Sequence, residues 1–335
     1  MRTKKSLTSL TVLAFFLLAL GLSPASSMAK EKYEETFEKT VALAKDGKVY
    51  LKNLAGDIDV KTWDRGEVKI DALKVSKHSS MDKAKEYAGL VKINVAEEGG
   101  TLTIKTEYPK KGPRGMSVSV AFKLTIPSGA TADINSVSGD LTLTNIGGAA
   151  KAETVSGNVT LEKIAGTLKG KTTSGSVIVM GAAKGAYCKT VSGNVKVNDV
   201  NGDAELYTVS GTIKAGSVKG SITAENTSGG VKLIDVTNAK VIKAKTLSGD
   251  VDYVGVIFSD GSYNFRSHSG DVILSIPQDA AFDLEAKTFS GSIDSEFEIT
   301  LTGKISKKQL KGSVNGGGAT LEAKTFSGDI HIKKK

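Results

Sequence analysis

The dipeptide Ser-Gly recurs at a fixed interval through most of this 335-residue sequence, and that interval constrains the fold more than any other feature. It stands at Ser138, Ser156, Ser174, Ser192, Ser210 and Ser228, each 18 residues after the last. Copies continue at Ser248, Ser269 and Ser290, with steps of 20, 21 and 21, and a last one stands at Ser327, 37 residues on. A period of this length marks a stack of small units, none of which can bury its apolar face alone.

Aligning the copies assigns a role to each position. Leu141, Val159, Val177, Val195, Ile213 and Val231 stand three residues after Ser, and a second apolar column stands five after it. Polar residues lie between them, which is the period-two alternation of a strand with one buried face. Ten after Ser comes a turn, with glycine at 148, 166, 202 and 220, and then a second strand with small inward residues such as Ala150, Leu168, Ala186, Ala204 and Ile222. Thr154, Thr172, Thr190 and Thr208 close the unit before the next Ser-Gly, whose glycine turns a corner at positive φ. The expectation is an all-β, single-stranded parallel β-helix (solenoid) with rungs of 18–21 residues, consecutive rungs pairing in register, and right-handed winding. Sparse aromatics, at 6%, and 37 glycines suit such a thin core.

Residues 30–130 are less regular and read as a β-rich cap for an open end of the solenoid, followed by the array at 131–335. Ala55-Gly56-Asp57-Ile58-Asp59-Val60 is a degenerate corner, so winding begins near Lys48. Ser80 to Leu90, with Met81, Ala84 and Ala88 at helical spacing, predicts a short helix. Pro109 to Gly115 is a loop, and Val118 to Ile126 alternates into a long strand that feeds the repeats. At the far end, Lys333-Lys334-Lys335 is expected to blunt the last edge by charge.

Residues 1–29 read as a cleaved secretion signal. Arg2, Lys4 and Lys5 precede an apolar run from Leu10 to Leu22, and small residues follow up to Ala29. The run is shorter than the roughly 20 residues of a membrane span, which disfavours an uncleaved anchor. The cut is placed after Ala29, with Ala25 or Ser27 as alternatives. Its removal lowers the formal charge from +9 to +6, a mild basic bias that suits anionic envelope or host glycans, or a protein partner; nucleic acid is not expected of an exported chain. The single Cys188 excludes an intramolecular disulfide and aligns with inward positions.

The unit as it stands here, Thr-Val-Ser-Gly-Asn-Val or Thr-Phe-Ser-Gly-Asp-Ile, together with the Ile126-Pro127 step into the array, resembles the bacterial "putative adhesin" family of β-strand-repeat proteins over about residues 37–335. The resemblance implies a secreted or surface β-solenoid and brings no catalytic motif. The rung is also similar in length to that of the filament-forming bactofilins, which lack an export signal.

Chemistry-bearing residues are few. His78, His268 and His331 are far apart with no ligand spacing, so no metal or other cofactor is expected. Asp250 and Asp271 follow Ser-Gly on successive copies, with Asp252 nearby, and could form an acid/base or Ca²⁺ cluster; the simpler role is that each aspartate bonds its own turn. Residues 131–247 hold only Tyr187 and Tyr207, at non-equivalent positions, which is poor provision for a sugar-cleaving groove. Four residues after Ser stand Lys196, Lys214 and Lys232 on three consecutive rungs, an outward basic stripe suited to an anionic polymer. The expected function is therefore a non-enzymatic exported protein, periplasmic or at the cell surface, that binds an extended partner along its solenoid faces in the manner of an adhesin. A carbohydrate-active β-helix enzyme using the aspartates, and a self-assembling fibre-forming envelope protein, are the alternatives.

Overall fold

The computed structural model describes residues 30–302 and 306–335. The expected secretion signal and its expected cleavage site lie outside the described residues. Each rung gives one strand to each of two facing sheets, which contain 14 and 15 strands. Val159–Ile164 pairs in parallel with Val177–Ala182 in the first sheet, and Leu168–Lys171 pairs with Ala186–Lys189 in the second. Equivalent positions meet throughout, as in Val159↔Val177 and Gly170↔Cys188. The inward columns fill a single core, where Val195, Ile213, Leu206 and Cys188 are fully buried. Burial pushes the Cys188 thiol up to about 12.

The corner is built as the sequence predicts, and its hydrogen bonding explains the invariant pattern within the chain. Gly193 has φ +146°, and a Cβ there would lie 2.0 Å from the carbonyl oxygen of Gly175 on the rung before. Only glycine satisfies both the dihedral and the close approach. The glycine carbonyl is met by a buried donor from the following rung: Thr190 Oγ1 donates to Gly175 O at 2.8 Å, and Thr208 Oγ1 to Gly193 O at 3.0 Å. Where threonine is replaced, a donor remains. Asn226 Nδ2 donates to Gly211 O and Ser267 Oγ to Gly249 O.

A second bend lies earlier than the glycine turn suggests. Asn145, Lys163, Gly181, Asp199, Ser217 and Asp235, seven residues after each Ser, all take positive φ. Lysine and serine in that column hide what asparagine, aspartate and glycine would signal.

The two ends depart from simple winding. Winding begins at Lys48–Lys52 and Ile58–Trp63, as expected, and this rung pairs with Thr131–Asn135 and Leu141–Thr144. On its other side it pairs in parallel with Thr101–Glu107 and Val118–Pro127. The stack therefore runs unbroken across position 130/131, and the long strand lies outside the first rung. Antiparallel strands then close this end: Glu67–His78 on Val118–Pro127, Glu31–Ala42 on Glu67–His78, and Lys92–Glu98 on Thr101–Glu107. The helix Met81–Leu90 covers them with Ala84, Tyr87 and Ala88, while Met81 faces solvent.

At the other end the chain does not wind in order. The last rung, Ala319–Ser327 with Ile330–Lys334, is inserted between Ser262–Ser269 with Val272–Ile276 and Phe282–Ser290 with Ile293–Ser295. Ser327 thus meets Ser269 on one side and Ser290 on the other, which corrects the expectation that Ser290 stacks on Ser269. Lys333-Lys334-Lys335 accordingly does not blunt the terminal edge; in the second sheet antiparallel Gln309–Val314, laid on Phe282–Ser290, covers it, and in the first sheet the short strand Ile293–Ser295 is the edge. The physical reason is degeneracy. Leu-Glu-Ala-Lys-Thr-Phe-Ser-Gly occurs identically at 284–291 and 321–328, so either rung fits either slot. Only the rung at 282–295 also carries the covering hairpin. These end rungs enclose Tyr253, Tyr263, Phe265 and Phe282, whose bulk matches the longer steps of 20 and 21 residues.

Candidate functional site

Lys196, Lys214 and Lys232 are Cα partners on adjacent strands of the first sheet, and all three are exposed. Outward positions of parallel in-register strands stand about 4.8 Å apart, so the three ammonium groups form one row. Ile178 precedes the row and Asp252 follows it. The Asp252 carboxylate lies 3.0 Å from Lys232 Nζ, so the row ends in an ion pair, whereas Lys196 and Lys214 form no ion pair among the described residues.

That pair also separates Asp252 from the other two aspartates. Asp250 and Asp271 do stand on adjacent rungs, but they bond the next rung and not their own turns. Asp250 Oδ1 accepts from the Asp271 N–H at 2.9 Å, and Asp271 Oδ1 accepts from the Asp329 N–H at 2.8 Å. The inserted rung thereby adds Asp329, which sequence spacing does not place here. Backbone and hydroxyl hydrogen bonds from Ser292 hold the Asp329 carboxyl below the usual range. The same ladder runs through Asp57, Asp140 and Asn158 at the N-terminal end of the stack. The aspartates are thus rungs of a structural ladder, and each uses one carboxylate oxygen in it. His268 points elsewhere, with its ring stacked on Phe326 at 4.9 Å. Among the described residues, no three histidine, cysteine or acidic side chains converge on a metal position.

Two features escaped the sequence reading. The first is a charged, partly aromatic outer face on the second sheet. Glu153 lies within 3.3–3.9 Å of Lys151, Lys169 and Lys171, and the Nζ of Lys171 sits 5.3 Å from the Tyr187 ring centre. Tyr187 and Tyr207, though non-equivalent in the repeat, are diagonal neighbours with ring centres 5.7 Å apart. Desolvation, and then the neighbouring Lys169, lower the Lys171 pKa. A shallow groove of about 420 Å³ opens beside them, lined by Glu153, Val155, Lys171, Lys189 and Val191.

The second is an apolar ridge. The residue before each corner position is exposed; this row holds Leu54 (before Ala55), Val155, Val209, Leu247, Phe326 and Phe289, and it is interrupted by Thr173, Thr227 and His268. Phe289 and Phe326 stack face to face at 4.7 Å because the inserted rung brings them together. The recurring Thr-Val-Ser-Gly and Thr-Phe-Ser-Gly motifs carried this signal in their second letter.

A two-sheet stack with Ser-Gly corners, capped by antiparallel strands, corresponds to one known family. The Toastrack DUF4097 model matches residues 56–255 and 182–333. The chain belongs to the Toastrack DUF4097 family. No curated protein matches the sequence. Among solved structures, this Toastrack chain is similar to a "putative adhesin" from Bacteroides fragilis NCTC 9343, at 13% identity and a TM-score of 0.35, over 90% of this chain and 97% of that one. It is similar to a "putative adhesin" from Parabacteroides distasonis ATCC 8503 at 12% identity and a TM-score of 0.35, over 89% and 97%. A "putative lipid binding protein" from the same strain matches at 11% identity and a TM-score of 0.29, over 89% and 97%. Superpositions this loose carry no argument about function.

Proposed function

We propose that this Toastrack chain is an exported, non-enzymatic scaffold of the cell envelope or surface that holds an extended anionic partner, such as an envelope or host glycan, along its first sheet. The observation that carries the reading is the in-register row of Lys196, Lys214 and Lys232 on a flat, regularly spaced face. A rigid row at a fixed repeat matches a polymer whose charges also repeat, and it offers little to a compact ligand. Like charges on neighbouring strands oppose the fold slightly, so the row contributes nothing to stability. The signal-like pattern of residues 1–29 supports an address outside the cytoplasm; among the described residues no helix is long and apolar enough to cross a membrane.

Binding of the full chain to a sulfated or uronic acid polysaccharide tests this. Affinity is expected to fall with added salt. Lys196→Gln combined with Lys214→Gln is expected to remove most of it, and Lys232→Gln alone to change little, because Asp252 already neutralises that lysine. Salt-insensitive binding, or full binding by the double variant, rejects the row as the site.

A further inference from the structure

One corner near the N-terminal end of the stack is much longer than the repeat requires. The rung at Lys48–Lys52 and Ile58–Trp63 turns from second sheet to first with residues 53–57, and the repeats use the same five positions, as at 154–158 and 172–176. The rung outside it uses residues 106–121 for this turn, because Lys52 pairs with Lys105 and Ile58 with Phe122. The surplus forms a loop at 109–117, Pro-Lys-Lys-Gly-Pro-Arg-Gly-Met-Ser, beside the corner at Leu54 and Ala55. Repeat folds commonly carry binding on such an insertion, because the rigid stack positions it and the repeat does not depend on it.

Between loop and corner lies an open pocket of about 410 Å³, within the size range of small-ligand sites. Leu54, Tyr108, Pro109, Pro113, Met116 and Val118 give it an apolar wall. The Tyr108 hydroxyl donates to Val118 O at 3.3 Å and ties the two roots of the loop together; burial pushes this phenol up to about 12. The rim is cationic. Lys110, Lys111 and Arg114 each adjoin a lining residue in sequence, all three are exposed, and none forms an ion pair among the described residues. Glu107 is the single carboxylate from residue 101 to residue 121, and its Cα partner on the adjacent strand is Lys92. Asp57, past the corner, is engaged in the ladder through the Asp140 N–H.

We infer that this pocket binds a single-chain amphiphile with an anionic headgroup, its alkyl chain between Leu54 and the loop and its charge among Lys110, Lys111 and Arg114. The combination of wall and rim selects this class. A free anion or a charged polysaccharide has no use for the apolar wall, and a neutral apolar ligand has none for three unpaired cations. The exposed residues of the loop are Lys110, Lys111, Gly112, Arg114, Gly115 and Ser117, so the loop has no apolar tip to insert into a bilayer and instead receives the chain. The pocket lies on the N-terminal side of the rung at Lys48, away from the Lys196 row, so the inference does not depend on the glycan reading. Gly112 offers a way to close it: a Cβ there would stand 3.3 Å from Met116 Sδ and 3.9 Å from Pro109 Cγ, between two lining side chains.

Calorimetric titration of the full chain with lysophosphatidylglycerol, kept below its critical micelle concentration, tests this. One molecule is expected to bind per chain. Lysophosphatidylcholine of the same chain length is expected to bind about tenfold more weakly, because the three cations then meet a zwitterion. Lys110→Gln, Lys111→Gln and Arg114→Gln together are expected to erase the difference between the two headgroups, and Gly112→Phe to abolish binding of both. All four positions are exposed, so an unchanged melting temperature separates a lost site from a lost fold. Lys196→Gln combined with Lys214→Gln is expected to bind the amphiphile as the parent does, which keeps this result distinct from that of the polysaccharide test. No binding of the monomeric amphiphile, equal affinity of the parent for the two headgroups, or full binding by Gly112→Phe overturns the inference. Binding confined to phosphatidylglycerol vesicles overturns it as well, since that is adsorption to a charged surface.

Discussion

At each corner, two residues hold one another in place across a rung boundary. Glycine supplies a carbonyl oxygen at a dihedral closed to other residues, and a buried threonine on the following rung donates to it. The dependence is unequal. Thr190→Val keeps the shape and removes the donor, leaving the Gly175 carbonyl buried without that bond, which costs about 1–3 kcal/mol. Gly193→Ala places a methyl 2.0 Å from a carbonyl oxygen at positive φ, with no flexible neighbour to move. It is expected to cost roughly 3 kcal/mol or more. Urea denaturation of the two variants checks the order. Thr190→Ser, which keeps the donor, should lie close to the parent; a glycine variant milder than the valine variant would contradict the corner geometry.

Strands were the most legible elements, because alternation and a fixed period act on the same residues. Val159, Leu161, Leu168 and Gly170 fall inward as their spacing requires, and Ala204 is buried against the opposite sheet. Replacing Ala204 with Phe is expected to cost roughly 1–3 kcal/mol or more, because a two-layer core has no slack to repack. A thermal melt matching the parent would mean that Ala204 does not face inward. Other features were illegible for identifiable reasons. The left-handed column at Lys163 and Ser217 carries residues that do not announce it. The Lys196 row was readable because equivalent positions stack, but its termination at Asp252 required knowing that the Lys232 and Asp252 side chains meet. The Tyr187–Tyr207 contact is diagonal, so column-by-column alignment does not show it. The apolar ridge was visible as letters in the motif, yet a valine before Ser-Gly reads equally as strand propensity until its exposure is known.

On the scale of the whole molecule, both ends break the parallel winding, and the two breaks serve the same need. An open stack presents a complete strand edge in each sheet, a template for further copies. Here antiparallel strands close both sheets at the first end and the second sheet at the other, where the first sheet ends on the short strand Ile293–Ser295; at both ends the adjacent rung is placed out of chain order. Consequently the chain's last rung is an interior layer with neighbours on both faces, and the identical segments at 284–291 and 321–328 make that exchange sterically neutral. This insertion is the most specific claim of the structure, and paired cysteines on the outer face of the first sheet test it. Residues 273, 331 and 294 lie in one row there, with His331 between Ile273 and Asp294. Adjacent rungs stand about 4.8 Å apart, within the roughly 4.4–6.8 Å between Cα atoms that a disulfide spans, and two rungs exceed it. Oxidation is expected to close a disulfide in Ile273→Cys/His331→Cys and in His331→Cys/Asp294→Cys, and none in Ile273→Cys/Asp294→Cys. A disulfide between 273 and 294, with none between 273 and 331, would show that the rungs stack in chain order and would contradict the account.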